Sequence, residues 1–303
     1  MLPSALWKPD AIVRLFFSVF VCWYSGSVLA SALPHLAGGK EGTAGVLATG
    51  GGALVFLGLT LFLAWRRWSL EHFMRQMVLL LACFYAGMAF GVWAQKLAGP
   101  ATHTAGQVSI GALGFQGAAL LLTIPFLREH GLSWSQAFGL AHRRRDALLA
   151  GLVVACLFLP VAWGLQQLSN FILSHLQHLG FKPEEQVAVQ VLRTAATHPD
   201  RIKLAIVTIL LAPVAEEILF RGILFTGVRQ LGFPRLAFWG TGLVFAFVHF
   251  NAVSFFPLFV FALVLAWIYT RTGNLCAPIA AHSMFNALNF AMLFLIKDGS
   301  PVT

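Results

Sequence analysis

The chain has 303 residues, of which 58% are hydrophobic and only 10% charged. A soluble domain carries roughly 25% charged residues and a disordered one combines high charge with low hydrophobicity, so both classes are excluded. What remains is a polytopic membrane protein, in which the net charge of +9 sets topology rather than recruiting nucleic acid.

Apolar runs of about 20 residues mark spanning helices, and about nine are predicted. They cover 12–33, 46–65, 77–97, 106–127, 147–168, 202–224, 236–250, 253–271 and 277–296, with the seventh short for a full span. The first has Lys8 and Arg14 at its start and Ala30-Ser31-Ala32 near its end. That resembles a signal peptide, but the apolar stretch is long for one, which favours an uncleaved helix. Glycines 45, 50, 51, 52 and 58 and the Gly87-x-x-x-Gly91 pair suit close helix packing. The expected fold is an all-α transmembrane bundle whose active core lies in the last four spans. Residues 1–200 supply the N-terminal helices and 201–303 the catalytic part.

Two loops stand out. Residues 128–146 end in His142-Arg143-Arg144-Arg145-Asp146, a basic run suited to anionic headgroups. The segment 183–198 opens with Pro183-Glu184-Glu185 and continues through Val187, Val191, Leu192 and Ala195. It reads as a short amphipathic helix on the outer surface. Cys22, Cys83, Cys156 and Cys276 are scattered without a C-x-x-C pair and read as small buried hydrophobes.

Alternating the spans from a cytoplasmic N-terminus puts Lys8, Arg14, Arg66, Arg67, Arg75, Arg128, Arg143, Arg144, Arg145, Arg229, Arg235 and Arg271 inside, which is 12 cations. Lys40, Lys96, Lys182, Arg193, Arg201, Lys203 and Lys297 fall outside, which is 7. The bias predicts a cytoplasmic N-terminus and an outer C-terminus. A bacterial inner membrane is the expected setting.

The informative ionisable groups are those that cannot reach water. Nine of the 11 acids fall in loops or at span ends, leaving Glu216 and Glu217 inside the sixth span. Eight of the 10 histidines do the same, leaving His249 and His282 inside the seventh and ninth. Arg221 joins them. A charge at the bilayer centre costs roughly 2.5–3.5 kcal/mol even on mild scales, so one shared polar cluster inside the bundle is expected. Glu217 and Arg221 are four apart and can pair. Glu216 points about 100° away around the helix, free to face another cavity. His282 with Asn286, and Phe245 with His249, are also four apart, and Phe245 reads as packing that shapes the pocket wall. Singly, each has a structural reading: a Glu–Arg brace, or a His or Asn that hydrogen-bonds between helices. Together, a carboxylate, two imidazoles and an amide are what water activation and oxyanion stabilisation need.

Glu216-Glu217-x-x-x-Arg221, Phe245-x-x-x-His249 and His282-x-x-x-Asn286, in order on successive apolar segments, resemble the CPBP family of intramembrane proteases. That family includes the CAAX prenyl endopeptidases and bacteriocin-processing relatives. The likeness extends to Glu-Glu-Ile-Leu-Phe-Arg-Gly at 216–222 and covers about residues 200–297. It implies that Glu216 and His249 activate the attacking water, that His282 and Asn286 stabilise the oxyanion, and that Glu217 and Arg221 support them. It also implies a peptide or protein substrate, membrane-associated or lipidated, with the bilayer as the other partner.

Glu216, His249 and His282 could alternatively hold zinc, with water in the fourth position. Asn286 and the second acid suit hydrogen bonding better than ligation, so no required cofactor is expected. Arg221 lies near the inner end of its span, with Glu216 about 7.5 Å deeper, so the cavity is expected to open to the cytoplasm. His249 would lie too deep on a helix beginning at Pro234, which favours a later start or a tilt. Two other functions use the same residues. A proton-coupled transporter is disfavoured by the absence of a repeat pair, and a non-catalytic binding or immunity protein by the intact motifs.

Overall fold

The computed structural model describes residues 7–36, 112–176, 187–194 and 198–295. All regular structure among them is helical. In chain order the elements are α1 (Pro9–Leu36), a π-helical turn π1 (Leu113–Gly117), α2 (Ala118–Glu129), α3 (Trp134–Phe138), α4 (Arg144–His175), α5 (Val187–Thr194) and α6 (His198–Ala205). Then come π2 (Ile206–Leu211), α7 (Ala212–Glu217), π3 (Ile218–Phe225), α8 (Thr226–Gln230), α9 (Pro234–Phe247), α10 (Ala252–Thr272) and α11 (Cys276–Leu295). The predicted spans 46–65 and 77–97 lie outside the described residues, as does the Pro183–Glu185 start of the amphipathic segment.

The described residues fall into two compact units, one from residue 8 to 129 and one comprising Trp7 and everything from His130 onward. In the first, α1 packs against π1 and α2. Arg14 is buried there: its Nη2 donates to both Glu129 carboxylate oxygens at 2.8 Å, and its Nη1 meets Asp10 Oδ2 at 3.1 Å. A buried guanidinium needs such partners.

In the second unit, α4 shows why the chain is so apolar. Its inward face is small (Ala147, Gly151, Ala155, Ala162) apart from Phe158. Its outward face carries Leu149, Val153, Leu157 and Val161, from 50% to 70% exposed. Large apolar side chains outside and small ones inside suit a helix in hydrocarbon, where close backbone approach drives association. A Cβ at Gly151 would collide with the Ala277 carbonyl of α11. By length and composition, α4 and α10 can each cross a membrane. Asn274, between α10 and α11, donates through Nδ2 to His142 O at 2.6 Å and ties that turn to the start of α4.

Residues 198–230 form one helical run interrupted by two π-turns, longer than the predicted span 202–224. Pro213 gives a reason for the first. Its ring clashes with the carbonyl four residues back and it has no N–H to donate. A wider turn relieves the clash, and the Ala212 N–H indeed bonds Val207 O, five residues back. In π3, Thr226 Oγ1 donates to Arg221 O at 2.9 Å and Trp7 Nε1 to Gly222 O at 3.0 Å.

The seventh predicted span, 236–250, needs correction. Helix α9 begins at Pro234 and ends at Phe247, so the expected later start does not occur and His249 sits in the turn beyond the helix. With 14 residues, α9 is about 21 Å long, shorter than the hydrocarbon core of about 30 Å.

Candidate active site

Two helical segments present the acids. Glu216 and Glu217 end α7, and Arg221 follows in π3. All three are buried, and Glu217 has no exposed surface at all. Arg221 Nη1 donates to Glu217 Oε1 at 2.8 Å, as the spacing predicts. Its Nη2 reaches Ala262 O on α10 at 3.2 Å, and its guanidinium carbon lies 4.3 Å from the centre of the Phe245 ring. The cation is thus held by a carboxylate, a carbonyl and an aromatic face.

His282, on α11, meets the same carboxylate: its Nδ1 is 2.9 Å from Glu217 Oε1. Phe245 and Phe261 hold the His282 ring by edge contacts, with centroids 5.9 Å and 5.5 Å away. His249 reaches inward from the turn after α9. Its Nδ1 lies 2.7 Å from Phe245 O, a carbonyl at the helix end that would otherwise lack a donor. A carbonyl only accepts, so Nδ1 carries the proton and Nε2 of the neutral ring is bare.

Both imidazoles turn Nε2 toward Glu216. His249 Nε2 and His282 Nε2 are each 4.0 Å from Glu216 Oε2. That oxygen is buried and has no hydrogen-bond partner among the described residues. At 4.0 Å the groups are too far apart for direct hydrogen bonds. One water at hydrogen-bonding distance from each can bridge such a span. The arrangement therefore gathers a carboxylate oxygen and two imidazole nitrogens around one point, the acid–base groups that a site handling water requires.

Asn286 lies one turn further along α11 and is half-buried. Its Nδ2 donates to Thr208 O in π2 at 2.8 Å. His282 and Asn286 thus contact the same helical run, at Glu217 and Thr208 respectively.

The zinc alternative can be tested on this geometry. Glu216, His249 and His282 have the right donor chemistry, and both Nδ1–H groups are oriented as ligating histidines usually are. Tetrahedral ligand atoms at about 2 Å from zinc lie only about 3.3 Å apart. No group of His, Cys, Asp and Glu among the described residues is close enough to hold a metal. The spacing does not fit a metal set, and no step is derived through one.

Sequence reasoning missed three contributors: the Thr208 carbonyl, the Ala262 carbonyl and Phe261. Pro213, five residues after Thr208, is a readable signal for the first. Phe261 is one of 28 phenylalanines and nothing in its spacing marks it.

Apolar helices packed around a buried acid–imidazole cluster suit a membrane protein, with α4 and α10 long and apolar enough to cross a bilayer. Comparison identifies a family model over part of the chain. Residues 198–288 match the family model described as Rce1-like, "Type II CAAX prenyl endopeptidase Rce1-like". This stretch is an Rce1-like domain, consistent with the CPBP resemblance of the three motifs. Over 83 residues the chain is 35% identical to the "Uncharacterized protein YpbD" of Bacillus subtilis (strain 168), covering 26% of this chain and 40% of that protein. The match thus spans well under half of that relative. No solved structure matches the chain.

Proposed function

We propose that this protein is an intramembrane endopeptidase that hydrolyses a peptide bond of a membrane-associated or lipidated peptide. The observation that carries this reading is Glu216 Oε2 lying 4.0 Å from Nε2 of both His249 and His282. The Rce1-like match, a CAAX-type protease family, supports it.

In this reading water is held at Glu216 and His249. As its oxygen attacks the scissile carbonyl carbon, its proton passes to Glu216. The carbonyl oxygen becomes an oxyanion that accepts from the Asn286 amide and from His282 Nε2, a role that requires the doubly protonated His282 ring, with Nδ1–H on Glu217 and Nε2–H on the oxyanion. When the tetrahedral species collapses, the C–N bond breaks and the amine leaves with the proton returned by Glu216. Glu217 and Arg221 act beneath the site, where the Nδ1 contact with Glu217 fixes the His282 ring. We propose that the reaction needs no metal, because the second acid and Asn286 are engaged in hydrogen bonds and the three donors are spaced for a bridging water.

The proposed setting is a multi-pass protein of a bacterial inner membrane, N-terminus cytoplasmic and cavity toward the cytoplasm. The cytoplasmic arginine excess supports that orientation. Its partners are then the bilayer and a peptide substrate, not nucleic acid. The test is cleavage of a peptide panel, soluble, membrane-anchored and prenylated, by purified protein and by Glu216→Ala. Cleavage by wild type alone is expected. Equal cleavage by both, or by neither, overturns the reading.

A further inference from the structure

The π2 turn explains a contact that sequence could not show. Thr208 O lacks the backbone donor that either the α or the π register would give it. In an α-helical pattern its donor would be the Ala212 N–H, which instead bonds Val207 O. In a π-helical pattern its donor would be residue 213, five further on, and that residue is proline. Both registers leave the carbonyl without a helical donor, at a half-buried position where an unmet polar group is costly. Asn286 Nδ2 occupies that position at 2.8 Å.

An amide offers one carbonyl oxygen and two N–H donors. Facing a carbonyl, it must present its nitrogen, so Thr208 O decides which way Asn286 is turned. We infer that Pro213 is a positioning residue: by leaving the Thr208 carbonyl to Asn286, it fixes the amide that donates its other N–H to the oxyanion. This rests on the hydrolytic reading above. It also links the two sides of the site. Pro213 lies three residues before Glu216, so the turn that carries the base also aims the oxyanion donor on α11.

Pro213→Ala supplies the missing N–H within reach of Thr208 O and lets it compete with Asn286. The substitution replaces proline by a good helix former, so the fold is retained; Pro213→Ser supplies the same N–H if the alanine variant does not accumulate. Two readouts separate positioning from general structure. The first is the side-chain amide resonance of Asn286 in asparagine-15N-labelled protein in detergent micelles, identified by its loss in Asn286→Ala. It should move upfield in Pro213→Ala as its hydrogen bond weakens, with the thermal midpoint unchanged or higher. The second is a double-mutant cycle on peptide cleavage. Pro213→Ala should lower kcat about tenfold with KM unchanged, the loss of one well-placed hydrogen bond. In an Asn286→Ala background, itself down about 10²–10³-fold, Pro213→Ala should change nothing further.

An unmoved Asn286 resonance, or an equal loss of kcat in both backgrounds, overturns the inference. A wild type that cleaves no peptide sinks the hydrolytic reading instead, and with it the oxyanion role of the amide. The resonance then still decides whether Pro213 sets the orientation of Asn286.

Discussion

Glu217 Oε1 accepts from His282 Nδ1 at 2.9 Å while it also takes Arg221 Nη1 at 2.8 Å. One buried oxygen thus joins the brace within its own helical run to an imidazole of the candidate site.

Removing one partner of a buried ion pair costs about 3–5 kcal/mol, whereas apolar replacement of both is often neutral. Arg221→Ala should therefore lower the thermal midpoint sharply, because Glu217 would be left charged with no exposed surface. The double variant Glu217→Leu/Arg221→Met should recover much of that stability. It should not recover cleavage, since the His282 Nδ1 partner is gone. Thermal unfolding in micelles and peptide cleavage on the same samples separate the two effects. A double variant as active as wild type would show that Glu217 serves only as a brace.

Glu216 differs from Glu217 in what it touches. Its Oε2 is buried without a hydrogen bond among the described residues, so a neutral amide there removes charge and breaks nothing. Glu216→Gln should unfold at the wild-type temperature or above it. If the carboxylate is the base, its kcat should fall by at least about 10²-fold. A well-folded Glu216→Gln that retains cleavage would remove Glu216 from the mechanism.

The polar core was legible because it was scarce. With 11 acids in 303 residues, almost every one finds a loop, and Glu216 and Glu217 are conspicuous for finding none. Spacing of four then gave the Glu217–Arg221 pair, which the structure contains at 2.8 Å. The same rule was less complete for Phe245 and His249. They do touch, but His249 lies past the helix end and its ring bonds the Phe245 carbonyl. Hydropathy could not show that end, because Val248 and Phe250 continue the apolar run. The π-turns were hidden for a related reason. They change the hydrogen-bond register without changing composition, and only Pro213 hints at the first.

Metal dependence tests the metal-free reading directly. In the metal-free reading, exhaustive chelation followed by dialysis leaves cleavage unchanged, and elemental analysis finds zinc well below one per chain. Loss of activity on chelation, restored by stoichiometric zinc, would replace the water-bridged arrangement with a Glu216–His249–His282 metal set. His249→Ala tells the same story from the protein side, because a ligand variant would lose bound zinc as well as cleavage.

The packing of α4 offers a test independent of any activity. Gly151 faces α11, where an added Cβ would meet the Ala277 carbonyl and lie 2.9 Å from Ala280 Cβ. Gly164, on the same helix, has nothing within 4 Å of that position. Gly to Ala in an open helical site gains up to about 1 kcal/mol, whereas forcing extra volume into a packed contact costs about 1–3 kcal/mol. The backbone carbonyl cannot swing aside as a flexible side chain can, so α4 and α11 must separate. Gly164→Ala should therefore raise the thermal midpoint slightly and Gly151→Ala lower it by several degrees. Because α11 carries His282 and Asn286, Gly151→Ala should also weaken cleavage though it touches neither residue. Equal midpoints for the two variants would mean that α4 and α11 do not pack through Gly151.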